Sequence, residues 1–415
     1  MRKRTSIAIV TGMLVLGAGV AAAGQLEDAG ASAQRGDFTT ALRLLRPLAN
    51  SGDPVAANAL GDMYRLGLGV PVDINEALRW FRESAAKGNA DSENALGLAY
   101  ESGRGVAQDY PEAIKWYSLA AEHGNAQSQF NLGRMYQDGR GAPKNDGAAT
   151  HWFSLAAAQG MSVAQYNLGK AYAQGLGIQQ NNSEAMKWYV IAAAQGLAQA
   201  QAALATMYAN GIGVTKDLQA AARLWLIAAT QGLVSAEHDL GVAYFNGYGV
   251  QQDYKEAARW YQLAAAQGDV ESQSILGAMY DNGLGVTQDS NEAIKWFRAA
   301  AAKGDDSAQA NLGLAYAKGD GVPRDYGEAL KWFRASAAKG NTTAQDSIGV
   351  SYRQGLGVPM DYVHAYMWFT LAADQGNTGA AKNRDGLRGM MSAQQVAQAA
   401  ELARRCGEAQ FQNCE

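Results

Sequence analysis

Residues 89–124, NADSENALGLAYESGRGVAQDYPEAIKWYSLAAEHG, decide the architecture, because one 36-residue pattern lies over the chain nine times without a gap. Trp116 of this stretch has counterparts at Trp80, Trp152, Trp188, Trp260, Trp296, Trp332 and Trp368. The slot after it is aromatic in every copy: Phe81, Tyr117, Phe153, Tyr189, Trp225, Tyr261, Phe297, Phe333 and Phe369. Only the fifth copy breaks the tryptophan grid, with Leu224 in the slot. A fixed period of about 20–50 residues marks a small supersecondary unit stacked on copies of itself. The expected class is therefore all-α, a solenoid of helical hairpins.

The physics of one copy supports this. Ser92, Leu96, Gly97 and Tyr100 fall at i, i+4, i+5 and i+8, a stripe on one face of a helix, called helix A. The first of these slots is always Ala or Ser and the last always Tyr, from Tyr64 to Tyr352. Small residues beside a large ring allow close helix approach. Two invariant loop glycines follow, as in Gly103-Arg104-Gly105, where a positive φ or a close backbone contact is expected. Asp109 and its equivalents Asp73, Asn145, Asn181, Asp217, Asp253, Asp289, Asp325 and Asp361 stand where a second helix needs an N-cap. A Glu three residues on in six copies (Glu76, Glu112, Glu184, Glu256, Glu292, Glu328) predicts a reciprocal capping box. Helix B then buries Ala113, Trp116, Tyr117, Ala120 and Ala121, at i, i+3, i+4, i+7 and i+8, and ends at Gly124. Each tryptophan is expected to be buried, removing roughly 150–250 Å² from water.

The ends depart from the pattern. Arg2, Lys3 and Arg4, the apolar run Ile7–Val20 and the small residues Ala21-Ala22-Ala23 read as a secretory signal, residues 1–23, cleaved before Gly24. An uncleaved anchor is the alternative. Residues 24–52 read as a capping half-repeat, with Ala41, Leu44, Leu45, Ala49 and Gly52 on the slots of Ala77, Trp80, Phe81, Ala85 and Gly88. Residues 53–376 hold the nine repeats, and 377–415 are expected to form closing helices and a tail. Atypical end units cover faces that a solenoid would otherwise leave open.

Charge and cysteines narrow the function. The chain carries 35 Lys and Arg against 39 Asp and Glu, and loss of residues 1–23 leaves 32 against 39, moving the net charge from −4 to −7. An acidic chain without basic runs argues against nucleic acid, whose binding depends on neutralising phosphate, and against anionic membrane surfaces. After cleavage no stretch is apolar enough to span a bilayer. The location expected from the signal is periplasmic or secreted. Cys406 and Cys414 are the only cysteines; in an exported chain they fit a small disulfide loop, and otherwise two free thiols at a frayed end.

With its motif Ala-x-x-x-Leu-Gly-x-x-Tyr-x-x-Gly-x-Gly-Val-x-x-Asp-x-x-x-Ala-x-x-Trp-(aromatic)-x-x-Ala-Ala-x-x-Gly, the unit resembles the Sel1-like repeat, a relative of the tetratricopeptide repeat. That resemblance covers residues 53–376 directly. It implies a right-handed αα-superhelix that serves as a protein-interaction scaffold, with exported bacterial members acting in envelope signalling, polysaccharide export and host contact. Some relatives staple each hairpin with a cysteine pair and are linked to β-lactam binding; no copy here has such a pair.

Catalytic and metal motifs are missing from the sequence. His123, His151, His238 and His364 share no ligand spacing, and no nucleophile elbow, Walker loop or dinucleotide fingerprint occurs. No cofactor or metal is expected, and the chain is read as not an enzyme. Function is sought in the slots that vary. Counted from the repeat leucine, positions −2, +2 and +5 on helix A face away from the buried stripe. They supply Phe130 and Arg134 in the third copy, Tyr166 and Lys170 in the fourth, and His238 and Phe245 in the sixth. These six are the candidate contacts for a protein or peptide partner, since aromatic and Arg side chains dominate binding hot spots; packing against the next helix A is the competing reading for the aromatics. Two other functions stay open: an envelope enzyme that recognises β-lactams or peptidoglycan, and a periplasmic negative regulator of a sensor kinase.

Overall fold

The computed structural model describes residues 20–412 and 414. The expected signal segment lies outside them, apart from the backbone of residues 20–23, which opens the helix Val20–Gln34. Among the described residues there are twenty-two helices and no strand. Val20–Gln34 and Phe38–Asn50 come first, then nine A–B hairpins from Pro54–Leu66 with Ile74–Ala85 to Thr342–Gln354 with Tyr362–Asp374, and finally Thr378–Arg388 and Ala393–Glu408. The fold is an αα-hairpin solenoid. It divides into two compact units, one reaching Ala200 and including Ile212–Val214, the other comprising Gln201–Gly211 and Thr215–Glu415. Repeats 1–4 lie in the first and repeats 6–9 in the second.

The helix boundaries follow from the loop and cap residues. Every helix B from Ile74–Ala85 to Tyr362–Asp374 starts at its Asp or Asn, whose side chain accepts the N–H three residues on, as Asp109 does from Glu112 at 2.9 Å. The reciprocal half of the predicted capping box is not formed there. Those glutamates instead reach forward to a cation one turn on, as in Glu76–Arg79, Glu112–Lys115 and Glu184–Lys187 at 2.5–2.6 Å. The N–H of each cap residue is already donated to the carbonyl of the repeat tyrosine in helix A, as Asp109 donates to Tyr100 at 3.0 Å, which leaves it nothing to give the glutamate. Among the described helices the reciprocal box is present at Ser392–Gln395, where the Ser392 N–H donates to Gln395 Oε1 at 2.9 Å.

The two adjacent rings do different work. The second ring faces its own helix A: a Cβ on Gly97 would lie 2.6 Å from the Tyr117 ring, so only glycine lets the two meet. The tryptophan lies against the core formed by the preceding hairpin, as Trp116 does with Ala77, Leu78 and Phe81. Consecutive helical positions are about 100° apart, so both rings cannot point inward squarely. Accordingly Trp116, Trp152, Trp188, Trp296 and Trp332 are only partly buried, contrary to the expectation of full burial, whereas Trp80, Trp260 and Trp368 are buried. Repeat five changes both partners together, with Ala205 on the glycine slot and Trp225 on the ring slot, each buried.

A polar contact joins successive hairpins. Gln129 in helix A of repeat 3 donates from Nε2 to the carbonyl of Ala121, at the end of the preceding helix B. Its own Oε1 accepts from Gln159, at the end of the following one. Gln165 repeats this with Ala157 and Gln195, and Gln345 with Ala337 and Gln375. Where Lys303 and Lys339 replace the second glutamine, the lysines bond Gly268 and Gly304 instead. The Oε1 atoms of Gln273 and Gln309 are then left buried without a partner.

Candidate functional site

The first unit contains a cavity of about 740 Å³ on its helix-A side. Helix A of repeat 1 contributes Asn58, Asp62 and Arg65, helix A of repeat 2 contributes Leu98 and Glu101, and Arg134 enters from repeat 3. Two further arginines, Arg104 and Arg140, come from the slot between the paired loop glycines. That slot is held in place because both flanking glycines take positive φ, 70° and 76° at Gly103 and Gly105. The loop also touches the hairpin before it: a Cβ on Gly141 would lie 2.6 Å from the Tyr110 carbonyl carbon. A variable side chain therefore sits in a fixed frame.

Internal bonds tie down most of the polar groups. Arg65 Nη2 lies 2.5 Å from Asp62 Oδ1, and burial raises the Asp62 carboxyl above its ordinary range against the pull of that arginine. Asp91 accepts from Asn125 Nδ2 at 2.9 Å and is likewise raised by burial. The Tyr117 hydroxyl donates to Glu101 Oε2 at 2.6 Å; burial first, and that carboxylate second, push the phenol up. Arg134 stands 3.8 Å from the other Glu101 oxygen, and Arg140 is 3.2 Å from Asp138. Arg104 is exposed to solvent. The floor is apolar, with Ala95, Leu98, Leu78 and Phe81. An arrangement of this kind has the chemistry to seat an apolar side chain while guanidinium groups meet a carboxylate.

Of the six residues singled out from sequence, the cavity takes in Arg134. Phe130, Tyr166 and Lys170 follow on helices A of repeats 3 and 4, and all are partly buried. Phe130 lies 5.8 Å from the Phe153 ring and beside Ala164 and Leu168 of the next hairpin, while Tyr166 is 5.7 Å from Tyr189. His238 and Phe245 belong to the second unit. His238 Nδ1 is 3.0 Å from Ser272 Oγ and 3.3 Å from Asp269, and Phe245 meets Tyr254 edge-on at 5.1 Å. Sequence reasoning passed over Asn58, Asp62, Arg65, Leu98 and Glu101, although they occupy the same −2, +2 and +5 slots in repeats 1 and 2. A search for aromatics hid a charged run that those slots already displayed.

The tail has its own geometry. Cys406 and Cys414 form a disulfide with Cα atoms 5.0 Å apart, both residues buried. Phe411 packs beside Gly340, and Gln412 Nε2 donates to the Ala338 carbonyl at 2.9 Å. Among the described residues no group of three or more His, Cys, Asp or Glu side chains is placed to hold a metal, and no helix is long and apolar enough to cross a membrane.

Comparison with known proteins agrees with the fold. The family model described as the Sel1 repeat matches residues 54–89, 90–125, 126–161, 162–197, 198–233, 234–269, 270–305, 306–341 and 343–377. The crystal structure of c5321, a protective antigen of uropathogenic Escherichia coli strains displaying an SLR fold, is 34% identical with a TM-score of 0.86, covering 95% of this chain and 84% of that one. A Sel1 repeat protein from Oxalobacter formigenes is 33% identical with a TM-score of 0.56, covering 75% of this chain and 90% of that one. Among curated proteins none matches. Nine consecutive matches spanning most of the chain, on hairpins with this shared packing, make it a member of the Sel1-repeat family, whose solenoid is in general a scaffold for protein–protein interaction.

Proposed function

We propose that this chain is an exported, non-catalytic scaffold that captures a segment of a partner protein on the helix-A side of its first unit. The observation that carries the reading is the arginine-rimmed, apolar-floored cavity of repeats 1–3. Arg134 links that cavity to Phe130, Tyr166 and Lys170 on the following surface. The partner segment expected there carries an apolar anchor for Leu98 and a carboxylate for Arg104 and Arg134. Export rests on the basic, apolar and small-residue order of residues 1–23. The partner expected is then periplasmic or extracellular, and resemblance to exported Sel1-repeat proteins suggests a role in envelope signalling or polysaccharide export.

A photo-crosslinking residue at position 98 tests the site in living cells, with position 83 on a helix B as the control. The expected result is one discrete adduct from position 98, lost in an Arg104→Ala/Arg134→Ala double variant whose melting is unchanged. An adduct indifferent to both substitutions, or equally strong from position 83, would remove the site. N-terminal sequencing of the mature chain is expected to begin at Gly24; retention of Met1 would remove the cleaved signal.

A further inference from the structure

The cavity of repeats 1–3 holds a donor that the scaffold's own bonding leaves unspent. Asn94, on the helix Ala90–Ser102, lines it. Its Oδ1 accepts from Ser128 Oγ at 2.9 Å and from Asn131 Nδ2 at 3.4 Å, both on the next helix A. Asn131 is held in turn, its own Oδ1 accepting from Gln127 Nε2 at 3.0 Å. An amide whose oxygen is engaged twice keeps one orientation, and its two N–H donors face the other way. Among the described residues Asn94 Nδ2 has no acceptor. Such pairs gather at this cavity: Ser92 donates to Asn58, a second lining asparagine, at 2.7 Å. Six of the nine copies have Ala on the slot of Ser92 and Ser128, where no such bond can form.

A neutral donor does not select charge; it fits a carbonyl oxygen. A helical segment has spent its carbonyls on its own N–H groups, whereas an extended one leaves them to be met from outside. The helix Ala90–Ser102 lines the cavity from Asp91 to Ser102, roughly 16 Å at about 1.5 Å per residue. An extended chain covers that length in about five residues. Asn94 stands near the start of its helix A, while Arg104 and Arg140 follow the ends of theirs. The neutral donor and the cationic rim therefore serve different parts of one segment.

We infer that the segment captured here is extended, with a main-chain carbonyl on Asn94 Nδ2 and its carboxylate at the arginines. The inference rests on the cavity being the capture site. It makes Asn94 the residue that selects the conformation of the segment, and Ser128 the residue that positions Asn94.

Fluorescent pentapeptides, acetylated and amidated, test this on the full mature chain. One set places a Leu and a Glu in every order and spacing, with Thr at the other positions to favour an extended chain. The second set has α-aminoisobutyrate in place of Thr and is helical. The best Thr peptide is expected to bind at least tenfold more tightly than its helical counterpart. Asn94→Ala/Ser128→Ala is expected to weaken it about tenfold, the loss of one well-placed hydrogen bond. Melting should be unchanged, since Ala fills both slots at Ala202 with Ala236 and at Ala310 with Ala344. Ser128→Ala alone keeps the amide but lets it turn, and is expected to weaken binding about threefold; in an Asn94→Ala background it should add nothing. Absence of binding by both sets, equal or tighter binding of the helical set, or full binding in the Asn94/Ser128 variant would each overturn the inference. So would an effect of Ser128→Ala that persists without Asn94. The cavity reading survives those outcomes as long as the adduct from position 98 is still lost in Arg104→Ala/Arg134→Ala, and it fails separately if that adduct is indifferent to the arginines.

Discussion

At the scale of single residues, the repeat is held by fits that one methyl group disturbs. Gly169 sits in helix A with the Tyr189 ring where its Cβ would be, at 2.7 Å. Ala raises helix propensity, yet here it forces a buried ring aside. Gly169→Ala is expected to destabilise the chain by about 1–3 kcal/mol, the usual cost of overpacking. Gly386 in the helix Thr378–Arg388 has nothing within 4 Å of the same atom. Gly386→Ala is expected to stabilise by about 0.5–1 kcal/mol through the unfolded chain. Urea unfolding of the pair checks both, and equal signs would refute the ring-seat account. A third substitution addresses the polar contact: Lys303→Gln supplies the donor that Gln273 Oε1 lacks and is expected to add about 0.5–1.5 kcal/mol, read from the same curves. The ring slots were legible because they never vary. The polar partners were legible only as pairs. Serine replaces alanine at Ser92, Ser128 and Ser272, and each meets a polar side chain in the helix A before it: Asn58 at 2.7 Å, Asn94 at 2.9 Å and His238 at 3.0 Å. Reading one column at a time hides such a relation, because the cause lies 34 residues away.

At the scale of helices, start and stop signals were transparent and their side-chain details were not. Asp109 terminates the loop and starts Tyr110–Glu122 because its carboxylate accepts the N–H of Glu112. Asp109→Ala is expected to cost about 0.5–2 kcal/mol. Glu112→Gln should cost about 0.5 kcal/mol or less, because it removes only an exposed ion pair with Lys115. A reciprocal box would make the two losses comparable; differential scanning calorimetry of both variants separates the cases. The sequence pattern could not show this, since the acceptor that takes the cap N–H is a backbone carbonyl of helix A, that of Tyr100 for Asp109. Helix A has its own caps, Asn89 and Asn125 among them, which were overlooked because Met161 and Leu233 break the column and cap nothing with their side chains.

At the scale of the whole molecule, the ends are the least repetitive parts and carry the least sequence signal. The disulfide fastens a tail whose Phe411 and Gln412 reach back to the hairpin of repeat 8. A Cys406→Ser/Cys414→Ser variant is expected to lose about 2–4 kcal/mol of local stability. Hydrogen exchange should quicken in the helices Tyr362–Asp374 and Ala393–Glu408. The hairpins of the first unit should keep their protection, as contacts in such arrays pass between neighbours; uniform quickening would contradict this. Repetition explains why the class could be read at once and the partner surfaces could not. A slot that recurs nine times announces the scaffold, whereas Arg104 and Arg140, inside an invariant loop, stand out only after the scaffold is subtracted. The glutamine that joins consecutive hairpins keeps one register from copy to copy, reaching back 8 residues for its acceptor and forward 30 for its donor. Recombination between neighbouring copies that removes 126–161 would give Gln165 the carbonyl of Ala121 in place of Ala157, and this joint would stay closed. Gain or loss of a whole 36-codon unit therefore leaves the joint between copies in register, whereas a change of other length between Gln129 and Gln159 would put its donor out of step.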